Sequence, residues 1–324
     1  MPADFDIIRD TTPAAAIRRG LVLAIGNFDG VHRGHRAVIA AAREMARRLG
    51  RPAYSLTFEP HPRDYFNPDS RQFRLSGERD KLRLLAGTGL DGAVVMTFDA
   101  TRAATTAQDF INQDLIGRLG AAGVVAGYDF HFGKSRAGTP AFLEAEGRRL
   151  GFSVHIEPRR QADGLAVSSG VVRDALVAGD VGLAATLLGG PWFVSGEVVH
   201  GAKRGRDLGY PTANIALDPA CGLAHGVYAV RVGRGAERFE GVANFGRRPM
   251  FDNGPPLLEI HLFDFAGDLY GAALDVAFIA FLRAEASFAG VDALIRQMDA
   301  DSGRARTALA ASQGAFPLLG ELPG

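Results

Sequence analysis

The sequence predicts an α/β protein in two parts, a parallel sheet covered by helices and then an antiparallel β-barrel with a terminal helix. Three observations predict it. From Leu21 to about Leu188, short and almost wholly apolar strands alternate with segments of helical period, the pattern of a parallel sheet buried on both faces. After Gly189-Gly190-Pro191 the apolar runs are short, rich in Val, Phe, Ile and Tyr, and separated by Gly, Pro, Asn or Asp without helical period. That texture argues a small antiparallel sheet or barrel. A helical pattern returns at the end, with Ala293, Leu294, Met298, Ala308 and Leu309 on its apolar side. The Gly-Gly-Pro marks the boundary, giving domains 1–188 and 189–324.

The first strand, 21–28, opens with Leu21-Val22-Leu23-Ala24-Ile25 and runs into a glycine-studded turn, Gly26 to His35. A helix over 34–49 follows at a 3.6 period, with Val38, Ile39, Ala42, Met45, Ala46 and Leu49 as its stripe and Gly50 as its stop. Further strands are expected at 53–58, 92–98, 123–127 and 153–157, and helices at 77–86, 107–120 and 139–150, with a short one ended by Gly179. The second part has candidate strands at 193–199, 226–232, 238–244, 257–265 and 274–282.

At 324 residues the chain is long enough for two cores. Its 36 basic and 36 acidic side chains cancel, so no global field recruits nucleic acid or anionic membrane. The single cysteine, Cys221, makes no internal disulfide and fits a reducing cytosol. No stretch approaches the ~20 apolar residues of a membrane span, and Met1 to Ile8 carry no signal-peptide core. A cytoplasmic enzyme is expected; the sequence sets no oligomeric state.

The richest chemistry lies where the first strand meets its helix. His32 and His35 share a helix face at i and i+3, so both can point at one ligand. The free N–H groups and positive dipole end of the helix favour an anion there, and Gly34 lets it approach the backbone. A zinc site from His32, His35 and His61 would lack a cysteine or a carboxylate at ligand spacing. Ser168 and Ser169, with Arg173 one turn into the next helix, form a second anion-binding helix start. The Gly127–Ser135 string fails as a P-loop, with five residues between its glycines and three of them aromatic.

These motifs carry a resemblance. His32-Arg33-Gly34-His35 resembles the HxGH signature of the nucleotidylyltransferase superfamily, whose N-terminal domain is Rossmann-like. The longer Gly26–His35 string is similar to that of the bacterial bifunctional riboflavin kinase/FAD synthetases. The resemblance implies that His32 and His35 hold the triphosphate of ATP and stabilise charge as pyrophosphate leaves, with Gly26, Phe28, Asp29 and Gly34 in the nucleotide site. It brings Phe58-Glu59-Pro60-His61-Pro62 to the flavin, with His61 as the contact, and makes Asp129 of Gly127-Tyr128-Asp129-Phe130-His131-Phe132-Gly133 a second flavin residue. Ser168, Ser169 and Arg173 match the family's phosphate-binding Ser-Ser-[Thr/Ser]-x-[Ile/Val]-Arg, although Gly170 stands where a hydroxyl is usual.

The string from Gly196 to Ile215, ending Pro211-Thr212-Ala213-Asn214, resembles the riboflavin kinase signature. Glycines at 201, 205 and 209 around Lys203, Arg204 and Arg206 make a basic flap suited to ATP phosphates. Thr212 and Asn214 leave one face of an extended segment, and the resemblance makes them the Mg²⁺ and phosphate ligands. Glu259 and His261 alternate with Leu258, Ile260 and Leu262. The family's catalytic glutamate sits in such a Glu-[Val/Ile]-His strand, which implies Glu259 as general base. Arg283, Glu285 and Phe288 resemble its flavin-lining Arg-x-Glu-x-x-Phe, while Met250 departs from a usual Thr. The resemblance implies ATP-dependent phosphorylation of riboflavin to FMN and adenylylation of FMN to FAD. The rivals are a monofunctional riboflavin kinase whose first domain binds nucleotide but turns over poorly, and a non-catalytic flavin-binding regulator.

Overall fold

The computed structural model describes residues 5–162, 164–200, 210–246 and 256–323. Its contacts separate two compact units: Met1–Gln72 with Ser76–Ser168 and Leu318–Gly324, and Phe73–Leu75 with Ser169–Pro317.

The first unit is a six-stranded parallel sheet of β1 (Asp6–Arg9), β2 (Val22–Ile25), β3 (Ala53–Glu59), β4 (Gly92–Thr97), β5 (Gly123–Gly127) and β6 (Ser153–Glu157), in the order β1-β4-β3-β2-β5-β6. Its helices are α1 (Arg33–Leu49), α2 (Pro62–Phe66), α3 (Glu78–Ala86), α4 (Ala100–Ala104), α5 (Ala107–Asp109) and α6 (Pro140–Leu150). A short hairpin, β7 (Gln161–Ala162) and β8 (Leu165–Ala166), precedes the second unit. Leu23, Leu56, Val94 and Val124 from the central strands join Phe110 and Leu115 in one buried cluster.

Local chemistry revises several expected bounds. Strand 21–28 stops at Ile25, because Phe28 takes a left-handed backbone (φ 52°) that no strand continues through. The stripe of α1 is buried at Val38, Ile39, Ala42, Met45 and Ala46, but Leu49 is 42% exposed beside the stop at Gly50 (φ 61°). The helix expected over 107–120 has one α-turn and then a π-helical stretch, Phe110–Arg118. Edge strand β1 was not anticipated: Ile8 is its one buried residue, too little for a periodicity.

The second unit starts with α7 (Ser169–Val177) and α8 (Val181–Leu188), ahead of the boundary expected after residue 188. Its sheet holds β9 (Phe193–Glu197), β10 (Ala213–Ala216), β11 (Gly226–Arg234), β12 (Glu237–Gly246), β13 (Leu257–Leu262) and β14 (Ala273–Arg283), in the order β10-β13-β12-β11-β14-β9. All its pairs are antiparallel. A bridge between Val199 and Asn214 joins the two edges and closes the barrel. Helix α9 (Val291–Ala311) lays Ala305, Ala308 and Leu309 on Val227, Ala229, Phe263 and Leu282. The expected Ala293, Leu294 and Met298 are only half-buried.

Candidate active sites

In the first unit β2, β3 and β4 build outward in one direction, and β5 and β6 in the other, so the strand order switches between β2 and β5. Ligands of such sheets bind at the carboxyl ends of the strands beside the switch. Gly26–His35 leaves β2 there, Glu59–His61 leaves β3, and the exposed Asp129 follows β5.

The loop after β2 is strained and tightly held. Phe28 (φ 52°), Gly30 (φ 78°) and Val31 (φ 44°) are left-handed. A β-branched residue there is a true outlier, of the kind found at functional sites. Asp29 is buried, and its Oδ1 accepts the Ser76 N–H at 3.0 Å, while Ser76 Oγ accepts the Gly30 N–H at 3.0 Å. Its carboxylate therefore faces Ser76 and supports the loop.

His32 is the N-cap of α1, its Nδ1 accepting the His35 N–H at 3.2 Å. An accepting Nδ1 puts the ring proton of neutral His32 on Nε2. The His32 and His35 rings stack with centroids 3.6 Å apart and 13° between planes, and Phe28 meets His35 edge-on at 5.1 Å. The i, i+3 spacing thus brings both imidazoles to one spot. His35 Nδ1 is buried with no hydrogen-bond partner among the described residues. Burial of its ring holds its pKa well below the ordinary 6.5, and the charges of His32 and Lys81 push the same way. At Gly34 an added Cβ would lie 3.1 Å from the His32 ring and 3.6 Å from the Val167 carbonyl, so a side chain there would press on the His32 ring.

Lys81 was not among the sequence candidates, since a lysine on an amphipathic helix reads as solvated. Its side chain is fully buried, with Nζ 2.6 Å from Glu59 Oε1 and 3.1 Å from Thr57 Oγ1. His61 caps α2, with Nδ1 accepting the Arg63 N–H at 3.1 Å. Nearby, the 63%-exposed Phe66 meets Tyr65 and Phe98 edge-to-face, an open aromatic surface that the sequence alone did not disclose. An open cavity of about 420 Å³ involves Arg9, Asp10, Glu59 and Glu78 but neither histidine. These four are already ion-paired, so their charge recruits no ligand.

Ser168 closes the first unit, while Ser169 and Arg173 lie on α7 in the second. Arg173 Nε donates to the Phe73 carbonyl at 2.6 Å.

The barrel gathers its candidates on one row. Glu259 pairs with Asn214 on one side and Asn244 on the other. Asn244 in turn pairs with Val227, and Val227 with Arg283. Cross-strand partners share a face, so Asn214, Glu259, Asn244 and Arg283 all leave the outer wall, where α9 covers Val227. Sequence reading assigned no role to Asn244, because register is invisible in a single strand. Asn214 is 4% exposed; its Nδ2 donates to the Thr212 carbonyl at 3.3 Å, and its Oδ1 is buried without a partner among the described residues. Glu259 and His261 are half-buried between the buried Leu258, Ile260 and Leu262, as their alternation predicts.

Arg283 Nε donates to Asp301 Oδ2 at 2.9 Å, and its guanidinium sits over Phe288 at 5.6 Å. The Glu285 carboxylate lies against Gly246, so a side chain at that position would displace it. Gly201, Lys203, Arg204, Gly205, Arg206, Gly209 and Met250 lie outside the described residues.

A parallel sheet with a histidine pair at its switch point, joined to a closed barrel with a carboxylate between two amides, defines a two-unit transferase. A family model described as FAD synthetase matches residues 14–171, and one described as riboflavin kinase matches residues 188–309. The chain belongs to the bifunctional riboflavin kinase/FMN adenylyltransferase family. It is 43% identical to that enzyme of Pseudomonas fluorescens, across 91% of this chain and 94% of the relative. It is 41% identical to that of Escherichia coli K12, across 90% and 93%. A solved structure titled as a macrolide-efflux protein from Streptococcus pneumoniae is 31% identical, with a TM-score of 0.82 over 93% of this chain and 98% of that one. Among the described residues no helix is long and apolar enough to cross a membrane.

Proposed function

We propose that this chain makes flavin cofactors in two ATP-dependent steps: riboflavin to FMN in the barrel unit, and FMN to FAD with release of pyrophosphate in the parallel-sheet unit. The observation that carries the reading is a pair of buried polar atoms, His35 Nδ1 and Asn214 Oδ1, each without a partner among the described residues. Leaving such an atom unpaired costs about 1–3 kcal/mol. One lies in each motif, where a bound substrate or ion would complete it.

In the kinase step Glu259 takes the proton of the riboflavin 5′-hydroxyl as the γ-phosphoryl group is transferred. Thr212 and Asn214 would hold Mg²⁺, since oxygen donors suit a hard cation, and that ion would neutralise charge on the phosphate oxygens. The 201–209 flap, with Gly201, Lys203, Gly205 and Gly209, is assigned to the ATP phosphates. Arg283, Glu285 and Phe288 are assigned to the flavin.

In the adenylylation step the FMN phosphate attacks the α-phosphorus in line. Catalysis is positioning and charge stabilisation without a covalent intermediate. His32 donates from Nε2 and His35 from its ring to the phosphate oxygens, while Gly26, Gly34 and the N-terminus of α1 receive the triphosphate. Phe28 and Asp29 shape that loop; Ser168, Ser169 and Arg173 are assigned to the phosphates. His61, Asp129 and the open ring of Phe66 are assigned to the flavin, whose planar system suits an aromatic surface. The chain is assigned to the cytoplasm.

Chromatography of riboflavin incubated with ATP and Mg²⁺ tests the reading. FMN followed by FAD is expected. FMN alone would leave a monofunctional kinase, and no product would leave a flavin-binding regulator.

A further inference from the structure

The chain has only three lysines among its 36 basic residues, and the first is fully buried. The side chain of Lys81 has no exposed surface, and that of Glu59 is 14% exposed. Lys81 Nζ donates to Glu59 Oε1 at 2.6 Å, to Thr57 Oγ1 at 3.1 Å and to the Phe58 carbonyl at 3.4 Å. A compact ammonium with three rotatable donors can meet three acceptors on one strand, where a planar guanidinium could not. Buried ion pairs are often replaceable by apolar groups without loss of stability, so stability alone does not account for this one.

The hydroxyl of Thr57 leads onward. It accepts from Lys81 and donates to the Asn27 carbonyl at 3.2 Å. Asn27 sits between Gly26 and the left-handed Phe28, in the loop that delivers His32. The other half of that loop is tied to Ser76, two residues ahead of α3, through Asp29 and Gly30. One hold on the strained loop thus comes from the entry to α3, and the other from Thr57 of β3, which Lys81 of α3 bonds in turn. Such a backbone persists only when its surroundings over-determine it.

We propose that Lys81 is a positioning residue for adenylyl transfer, acting through Thr57 on the Asn27 carbonyl to fix the loop from which His32 and His35 meet the nucleotide. This rests on the reading of His32 and His35 as the adenylylation site. The positive charge of Lys81 also acts on the buried His35 ring.

The test uses the full-length protein with two routes to the same contact. Lys81→Met alone strands a buried carboxylate, so the ion pair is removed whole in Lys81→Met/Glu59→Gln. Thr57→Val keeps the pair and cuts only the relay to Asn27. Riboflavin phosphorylation in the other unit should stay at the parental rate in each. The kcat for FAD formation from FMN should fall about ten- to a hundredfold, the scale of a small misplacement of catalytic groups, with little change in KM for FMN. Combining Thr57→Val with the double variant should add little, since both break one relay. If the double variant and Thr57→Val both make FAD at the parental rate while His35→Ala does not, Lys81 serves only Glu59 and the proposal fails. If His35→Ala itself makes FAD normally, the underlying site reading fails instead. Should the double variant not fold, Thr57→Val alone decides.

Discussion

Glu259 and Asn214 stand directly opposite each other across the β10–β13 ladder. Directly paired residues on one face have Cβ atoms about 4.5–5.5 Å apart, so the ladder rather than a loop fixes the spacing between the assigned base and the assigned metal ligand. Asn214 is held further by the Val199 bridge and by its own bond to Thr212. Beyond it, His261 donates from Nδ1 to the Pro211 carbonyl at 3.0 Å, and Tyr210 donates to Asp299 of α9. The segment entering β10 is thereby anchored on both sides.

Glu259→Gln keeps size and much hydrogen bonding but removes the base. Its rate of riboflavin phosphorylation should fall by about 10²–10⁴, while FAD formation from supplied FMN stays near parental because a phosphate nucleophile is already ionised at neutral pH. Parental kinase activity in the variant would remove Glu259 from the mechanism.

Asn214→Leu separates stability from activity. The buried Oδ1 has no partner among the described residues, and such an atom costs about 1–3 kcal/mol, so replacing the amide by an apolar side chain should leave the melting temperature unchanged or raise it. Kinase activity should fall and demand more Mg²⁺ if the proposed oxygen ligand is gone. A variant that loses stability yet keeps its parental Mg²⁺ dependence would contradict both halves of the argument.

His32→Ala and His35→Ala should each lower FAD formation by roughly two to three orders of magnitude, the scale of losing a positioned charge-stabilising donor. FMN formation should persist. Loss of both activities in a folded variant would mean that the two chemistries do not divide between the units.

Where a feature depends on one strand or helix, the sequence disclosed it. Strands 123–127 and 153–157 match residue for residue, because glycine or polar neighbours bound short apolar runs. The face that Glu259 shares with His261 was readable from their alternation with Leu258, Ile260 and Leu262, and the shared face of His32 and His35 from their spacing. The roles proposed for them rest on the family motifs. What stayed hidden was created by tertiary register. Asn244 becomes notable only when β12 lies beside β13, and Lys81 only when α3 turns its side chain under β3. The left-handed Phe28 and Val31 contradict local propensity, and contacts to Ser76 and Thr57 hold their loop from outside it.

The depressed pKa of His35 gives a signed pH dependence. Folding holds the ring neutral below its ordinary 6.5, so in that range the unfolded chain binds more protons and stability rises with pH. The contribution is fully present above 6.5 and is lost as pH falls through the lowered value. In urea titrations between about pH 7.5 and 5, His35→Gln should therefore lose less stability than the parent on acidification. Equal losses would show that the folded protein protonates His35 as readily as the unfolded chain does.

The compact unit that holds the barrel begins ahead of the stretch that the riboflavin kinase model matches. The two family models leave 172–187 between them, yet α7 and α8 bury Val172, Leu176, Val181, Ala184, Leu187 and Leu188. Both helices belong to the compact unit that holds the barrel, and α8 packs on β14. The chain then enters β9 through Trp192, whose ring stacks on Phe278 at 5.1 Å. Residues 318–324 belong instead to the first unit, where the Gly320 N–H donates to the Arg83 carbonyl at 2.9 Å. A fragment spanning 169–317, which lacks only the Phe73–Leu75 segment of that unit, should fold and phosphorylate riboflavin. One spanning 190–317 should melt roughly 5–10 °C lower, since it leaves in water the apolar surface of β14 that α8 covers, at about 25 cal/mol per Å². Equal melting temperatures would show that α7 and α8 only connect the units and that the kinase fold is complete from Gly190 onward.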